Sequence, residues 1–248
     1  MQCLVLAGGL GTRVQTINGK SPKALLKIGS KAFIDWQMQW LKLIGISDVV
    51  LALAHGSDEI IEHIEKVQIV SDYPQINYSF DGPELLGTGG AVKKALPMLG
   101  SDFLVTYGDG ILFLNATDFF RKHLEEKKGA TLSIMRNEDL GDKSNVQFAG
   151  SEILRYDKLN TSSEMHYIDY GMTAVNKKYF SNVMPEVKSD FSKFLTSASE
   201  ERQLASFVVT ELFQEIGSPA GYERFSRLLK SLNYDLKLLA REKLNQRF

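Results

Sequence analysis

The chain opens with Gln2-Cys3-Leu4-Val5-Leu6-Ala7-Gly8-Gly9-Leu10-Gly11-Thr12-Arg13, a short apolar β-rich run that passes without a break into a glycine-rich loop. Strands of four to eight residues bounded by glycine read as buried strands, and ligands of a parallel sheet bind outside the carboxyl ends of such strands. Residues without a Cβ allow close backbone approach, so successive N–H groups can converge on an anion. Arg13 and Lys23 add charge-assisted contacts to the same point. The opening therefore predicts a strand, an anion-binding turn and a parallel sheet.

Working outward, strands are expected at Cys3–Leu6, Val49–Leu53, Ile76–Phe80, Phe103–Thr106 and Ala130–Met135. Between them Phe33, Trp36, Trp40, Leu41 and Ile44 recur at helical spacing, as do Ile60, Ile61, Ile64 and Val67, then Ala91, Ala95, Met98 and Leu99. A helix at Thr117–Lys127 carries Phe119, Phe120 and Leu124 on one side. This alternation is the pattern of an α/β protein with crossover helices. After Met135 the pieces Asn145–Phe148, Ile153–Tyr156 and Tyr167–Val175 follow one another across polar turns, which predicts a mixed or antiparallel second half. Helices return at Phe191–Ala198, at Pro219–Leu229 behind the cap Ser218, and at Tyr234–Leu244. With no linker or repeat in view, the reading is one domain over 1–248, split into halves 1–135 and 136–248, and without a β-helix.

The 248 residues suffice to bury about 73 per cent of the unfolded chain's surface. Lys plus Arg number 29 against 30 Asp plus Glu, a net charge of −1, which provides no global field for nucleic acid or anionic lipid. No apolar stretch reaches the roughly 18 residues that span a bilayer, and no basic region precedes the first strand, so a cytoplasmic location is expected, with no membrane or nucleic-acid partner. Cys3 is the single cysteine and reads as a small buried hydrophobe. The four histidines lack metal spacing and are assigned no chemistry. The sequence leaves a homo-oligomer open.

Two familiar phosphate motifs fail here. A dinucleotide fingerprint from Gly9 needs a small residue where Val14 stands, and Gly19-Lys20-Ser21 lacks the P-loop glycine at that same position. What fits is Leu6-Ala7-Gly8-Gly9-Leu10-Gly11-Thr12-Arg13 followed by Pro22-Lys23, then Leu86-Gly87-Thr88-Gly89-Gly90-Ala91, Tyr107-Gly108-Asp109 and Glu215-Ile216-Gly217-Ser218-Pro219. This series resembles the sugar-1-phosphate nucleotidyltransferases, over nearly the whole chain. It looks most like short bacterial heptose- or mannose-1-phosphate guanylyltransferases, although Thr106-Tyr107-Gly108-Asp109-Gly110 is similar to glucose-1-phosphate cytidylyltransferases.

The resemblance implies a Rossmann-like nucleotidyltransferase fold with a mostly parallel central sheet flanked by helices. It also implies transfer from a nucleoside triphosphate to a sugar 1-phosphate, giving a nucleotide sugar for surface glycans and pyrophosphate. By the same resemblance Arg13 and Lys23 are the catalytic cations, and Leu6, Ala7, Gly8, Gly9, Gly11, Thr12, Asp81, Gly87, Thr88 and Asp109 line the nucleotide site. Asp109 and Glu215 would hold Mg²⁺, Glu215 standing where relatives carry an aspartate one methylene shorter. Asp81 is either a base reader or a turn residue. Asp157, Lys158, Asp169 and Gly171 would meet the acceptor, with Lys158 otherwise a surface lysine. Tyr170 and Ser144 are bulkier than the family's usual residues and are expected to narrow that pocket. An ionised Asp169 only accepts, which favours an acceptor rich in hydroxyl or amine donors. The alternatives are a cytidylyltransferase, a non-sugar phosphate acceptor, or a catalytically silent nucleotide-sugar sensor.

Overall fold

The computed structural model describes residues 1–9, 21–54, 56–68, 72–82, 84–138, 143–184 and 188–244. The loop carrying Gly11, Thr12 and Arg13 lies outside them. Strand β1 (Gln2–Leu6) is followed by a 3₁₀ turn at Lys23–Leu25, a small hairpin of β2 (Lys27–Ile28) and β3 (Lys31–Ala32), and helix α1 (Phe33–Leu43). Then come β4 (Asp48–Leu53), α2 (Ser57–Gln68), β5 (Gln75–Phe80), α3 (Gly87–Ala95), β6 (Asp102–Tyr107), β7 (Gly110–Ile111), α4 (Ala116–Glu126) and β8 (Ala130–Arg136). The second half holds β9 (Val146–Ala149), β10 (Glu152–Tyr156), β11 (Tyr167–Asn176), α5 (Lys177–Val183), α6 (Phe191–Glu200), β12 (Leu204–Val209), β13 (Gln214–Glu215), α7 (Pro219–Ser231) and α8 (Leu236–Leu244).

The strands β6, β1, β4 and β5 lie side by side and parallel, as the alternation of strand and helix predicts. On the other side of β6 the direction reverses, because the ten-residue β11 pairs antiparallel with β6, β8 and β9. One continuous nine-stranded sheet thus runs through both halves. Its central strands are buried on both faces, which is why β1, β4 and β6 read as unbroken apolar runs. Ala32, the residue before helix α1, has no capping side chain. Asp35 reaches back to the Ala32 N–H at 2.9 Å instead, and its other oxygen takes His63 at 2.8 Å and the Tyr73 hydroxyl at 2.5 Å.

Two expectations are corrected. Leu124 is exposed, and the buried position one residue earlier belongs to His123, held between Thr131 and Asp102 at 3.1 and 3.2 Å. Burial lowers the pKa of that imidazole. The last helix starts at Leu236 because Asn233 and Tyr234 are in left-handed backbone. Asp235 caps it through the N–H groups of Lys237 and Leu238. Strand β12 and the short helix α5 went unread. Trp36 and Trp40 are core residues, their indole N–H groups donating to the carbonyls of Ile28 and Leu112.

Candidate active site

The carboxyl ends of β1 and β6 are pressed together. The Gly108 N–H donates to the Leu6 carbonyl at 2.9 Å, and a Cβ at 108 would come within 2.9 Å of the Ala7 Cα. Only glycine permits that approach. The strand therefore turns at once and delivers Asp109 to the sheet edge beside Ala7, Gly8 and Gly9.

Three groups fix the turn that carries Asp109. Buried Gln37 of α1 spends both amide hydrogens on the carbonyls of Tyr107 and Gly110, at 2.9 and 2.8 Å. The Ile216 N–H donates to the Asp109 carbonyl at 2.9 Å. Lys23, held on its 3₁₀ turn behind Pro22, places Nζ at 2.7 Å from Asp109 Oδ2. That ion pair is partly buried, its side chains 17 and 28 per cent exposed. Its importance is positional. A carboxylate and an ammonium, far apart in sequence, share one point of the cleft.

Two cavities adjoin there. The first, about 460 Å³, is walled by Leu6, Ala7, Gly8, Gly9, Lys23, Asp81, Gly87 and Thr88, with Gly217 closing it. The second, about 360 Å³, is walled by Lys143, Asn145, Tyr156, Lys158, Asp169, Tyr170, Gly171 and Glu215. Tyr107 and Asp109 belong to both. Burial, aided by the carboxylates of Asp169, Asp190 and Asp109, pushes the Tyr107 hydroxyl well above the usual phenol range. It stays a donor at neutral pH.

In the first cavity the helix N-terminus is already engaged. The N–H groups of Gly89 and Gly90 both donate to the Ser189 carbonyl, and Thr88 Oγ1 accepts from the Phe191 N–H at 2.8 Å. The amides of Gly89 and Gly90 thus hold the entry to α6. Asp81 Oδ2 accepts from the Leu86 N–H at 3.1 Å, and desolvation raises its pKa. It is thus a turn residue and a wall of the cavity at once.

In the second cavity β11 carries a bulge relative to β8 between Asp169 and Thr173. Gly171 has φ of +107°, which only glycine adopts readily, and its N–H donates to Asp169 Oδ1 at 2.9 Å. Burial pushes Asp169 up to about 6, against opposing pulls from the Gly171 N–H, Lys158 and the Tyr156 hydroxyl. Tyr170 is buried as well as lining the cavity; its hydroxyl accepts from the Phe113 N–H at 2.9 Å. Two residues expected on the acceptor side lie outside the described lining of this cavity. Ser144 is not among the described lining residues, and its hydroxyl accepts from Asn137. Asp157 turns onto its own loop, accepting from Arg155 and from the N–H groups of Leu159 and Asn160 at 2.8 to 3.0 Å. These donors, the Asn160 N–H foremost, hold its pKa down to about 2.

Sequence reading missed Gln37, Tyr107, Lys143 and Asn145. Gln37 had a signal, a polar residue between Trp36 and Met38 on an apolar helix. The others become meaningful only once the topology brings them to one edge.

The pattern for nucleotidyl transferases matches residues 2–143, more than half of the 248 residues. The D-glycero-alpha-D-manno-heptose 1-phosphate guanylyltransferase of Campylobacter jejuni is 27% identical over 225 residues, covering 91% of this chain and 98% of the relative. Its namesake from Aneurinibacillus thermoaerophilus is 26% identical over 233 residues, covering 93% of this chain and 99% of that protein. Among solved structures, HddC from Yersinia pseudotuberculosis complexed with GMP-PN superposes with a TM-score of 0.76 at 25% identity, over 92% of this chain and 99% of that one. Since the matched segment runs through the glycine loop, Lys23, Asp81, Gly87 and Asp109, the residues that wall the first cavity, the chain belongs to the nucleotidyl transferase family.

Proposed function

We propose that the protein transfers a nucleotidyl group from a nucleoside triphosphate, with guanosine favoured, to the phosphate of a sugar 1-phosphate of the heptose or mannose kind. The likeness to heptose-1-phosphate guanylyltransferases over more than nine-tenths of the chain supports the sugar and the base. The single observation that carries the reading is the meeting of two cavities at Asp109, with lysines on both sides.

In the reaction an acceptor phosphate oxygen forms a bond to the α-phosphorus. The bond from that phosphorus to the bridging oxygen breaks, and pyrophosphate leaves with the electron pair. Both reactants are anions, so the barrier lies in bringing negative groups into line, and the protein supplies position and positive charge. The backbone of Ala7, Gly8 and Gly9 faces the triphosphate. Lys23 attends the α-phosphate, and Arg13, on the loop outside the described residues, holds the leaving pyrophosphate. Lys158 and Lys143 neutralise the acceptor phosphate, while ionised Asp169 accepts from sugar hydroxyls. Asp81 keeps an oxygen for an amino or imino group of the base.

The donor chemistry fits Mg²⁺, which takes one or two carboxylates and completes its shell with phosphate oxygens and water. Asp109 would hold it, and the ion would supply charge neutralisation between the two anions. Lys23 already balances Asp109. With metal and phosphate bound, Asp109 would hold the ion and Lys23 would face a phosphate oxygen, so each charge would keep a partner.

Among the described residues no helix is long and apolar enough to cross a membrane, in keeping with water-soluble substrates met in the cytoplasm. Pyrophosphate release, measured with four nucleoside triphosphates crossed against phosphorylated sugars and polyols, tests the reading. The strongest signal is expected for GTP with a heptose or mannose 1-phosphate. A cytidine or non-sugar optimum replaces the substrates, and silence with nucleotide still bound replaces the enzyme by a sensor.

A further inference from the structure

Glu215 ends β13, whose partner across the two-stranded ribbon is Gly110, so its backbone lies beside the Asp109 turn. Its carboxylate nevertheless has other partners. Oε1 accepts from the Ser218 hydroxyl at 2.6 Å and Oε2 from the Ser218 N–H at 3.0 Å. Ser218 Oγ in turn accepts from the Gly221 N–H at 3.0 Å, closing the first turn of α7. This is the end of a helix, where unpaired N–H groups and the dipole favour an anion. The seat is shaped for it. A Cβ at position 221 would overlap Glu215 Oε1, so the residue beneath the carboxylate has no side chain.

We infer that among the described residues Asp109 is the one carboxylate that holds the transfer metal, and that Glu215 braces Ser218, the cap of α7, and thereby positions Gly217 in the wall of the nucleotide cavity. The inference rests on the transfer reading above. The extra methylene of glutamate is spent reaching Ser218 instead of the ion. Asp109 is placed differently, being shared by both cavities, with an ammonium as its neighbour that a phosphate can draw away.

The test uses Mn²⁺ as the probe, titrated in the presence of a non-hydrolysable nucleoside triphosphate analogue and followed by the electron paramagnetic resonance of the free ion. Asp109→Asn is expected to weaken Mn²⁺ at least tenfold, roughly the loss of one charge-assisted contact. Glu215→Gln is expected to stay within about twofold. Without metal, Glu215→Gln should lower the melting temperature by about 2 to 6 °C, the usual cost of a lost cap at this chain length. Loss of Mn²⁺ in Glu215→Gln equal to that in Asp109→Asn overturns the inference and leaves the transfer reading standing. Unchanged Mn²⁺ binding in Asp109→Asn overturns both. If Glu215→Gln does not fold, Gly221→Ala carries the test, because it keeps the carboxylate and fills its seat. A fall in metal-free melting supports the cap; the small rise that a plain Gly→Ala exchange gives in a helix overturns it.

Discussion

The two cavities that meet at Asp109 are built from different materials. The first, proposed for the nucleotide, is rich in small residues, Ala7, Gly8, Gly9, Gly87, Gly108 and Gly217, beside Lys23, Asp81 and Asp109. The second, proposed for the acceptor, is lined mainly by larger side chains: Lys143, Tyr156, Lys158, Asp169 and Tyr170 from antiparallel strands and their loops. Small residues suit a triphosphate, which every nucleotide shares, since they leave room for it at the strand ends. Side chains suit an acceptor that differs between enzymes. On the proposed reading, strand geometry holds what all nucleotides share, and residue choice holds what is particular to one acceptor.

The largest effect is expected at the junction itself. Lys23→Ala and Asp109→Asn should each lower turnover by about 100 to 1,000-fold, the usual worth of a charge aimed at developing negative charge, with a smaller change in acceptor KM. Pyrophosphate release under saturating substrates measures this. Losses below about tenfold in both variants would detach the junction from the chemistry and break the comparison.

Next comes the contrast between a backbone site and a side-chain site. Gly108→Ala inserts a Cβ 2.9 Å from the Ala7 Cα and 3.0 Å from the Leu6 carbonyl oxygen, so β1 and β6 must part. A stability loss of about 1 to 3 kcal/mol is expected, seen in the denaturant midpoint, together with weaker nucleotide binding. An unchanged midpoint would show that the strand ends yield more easily than their contacts imply.

Asp169 sharpens the comparison through pH. Its folded pKa, about 6, lies above the ordinary 3.8 because burial disfavours the ionised form. The stability it contributes is thus fully present below about 3.8 and is lost as pH rises through about 6. Asp169→Asn should melt progressively higher than the parent as pH rises from about 4 to about 6, with the gap level above that. Acceptor affinity runs the other way, since only the ionised carboxylate accepts freely, so parent KM rises below about pH 6. An Asp169→Asn profile with the same pH dependence as the parent would remove Asp169 from the acceptor side.

What the sequence disclosed follows the same division. The parallel strands were legible because strands buried on both faces are continuous apolar runs. Strand β12 was not: Leu204–Val209 is six mostly apolar residues whose identity depends on pairing with β8, about seventy positions earlier. Helix α5 buries only Phe180 and has no period to read. The ribbon of β7 and β13 is two residues on each side, held by a partner a hundred positions away. Gln37 was hidden for another reason, because a polar residue on an apolar helix face acquires meaning only from the carbonyls that the fold brings to it.

The smallest effect separates two neighbours that the sequence presents as one motif. Lys158 lines the acceptor cavity, whereas Asp157 is committed to Arg155, Leu159 and Asn160 on the loop's outer side. Its carboxyl titrates near 2, so it stays ionised and occupied across the working pH range. Lys158→Ala should raise the acceptor KM by about tenfold or more, as expected for a lost charged contact. Asp157→Ala should move it by less than about twofold, like other substitutions outside a site. Steady-state kinetics in acceptor distinguish them. Equal losses would mean that the loop refolds around the acceptor and that side chains on this side exchange partners on binding. The acceptor cavity would then be an induced surface, unlike the preformed backbone cleft across Asp109.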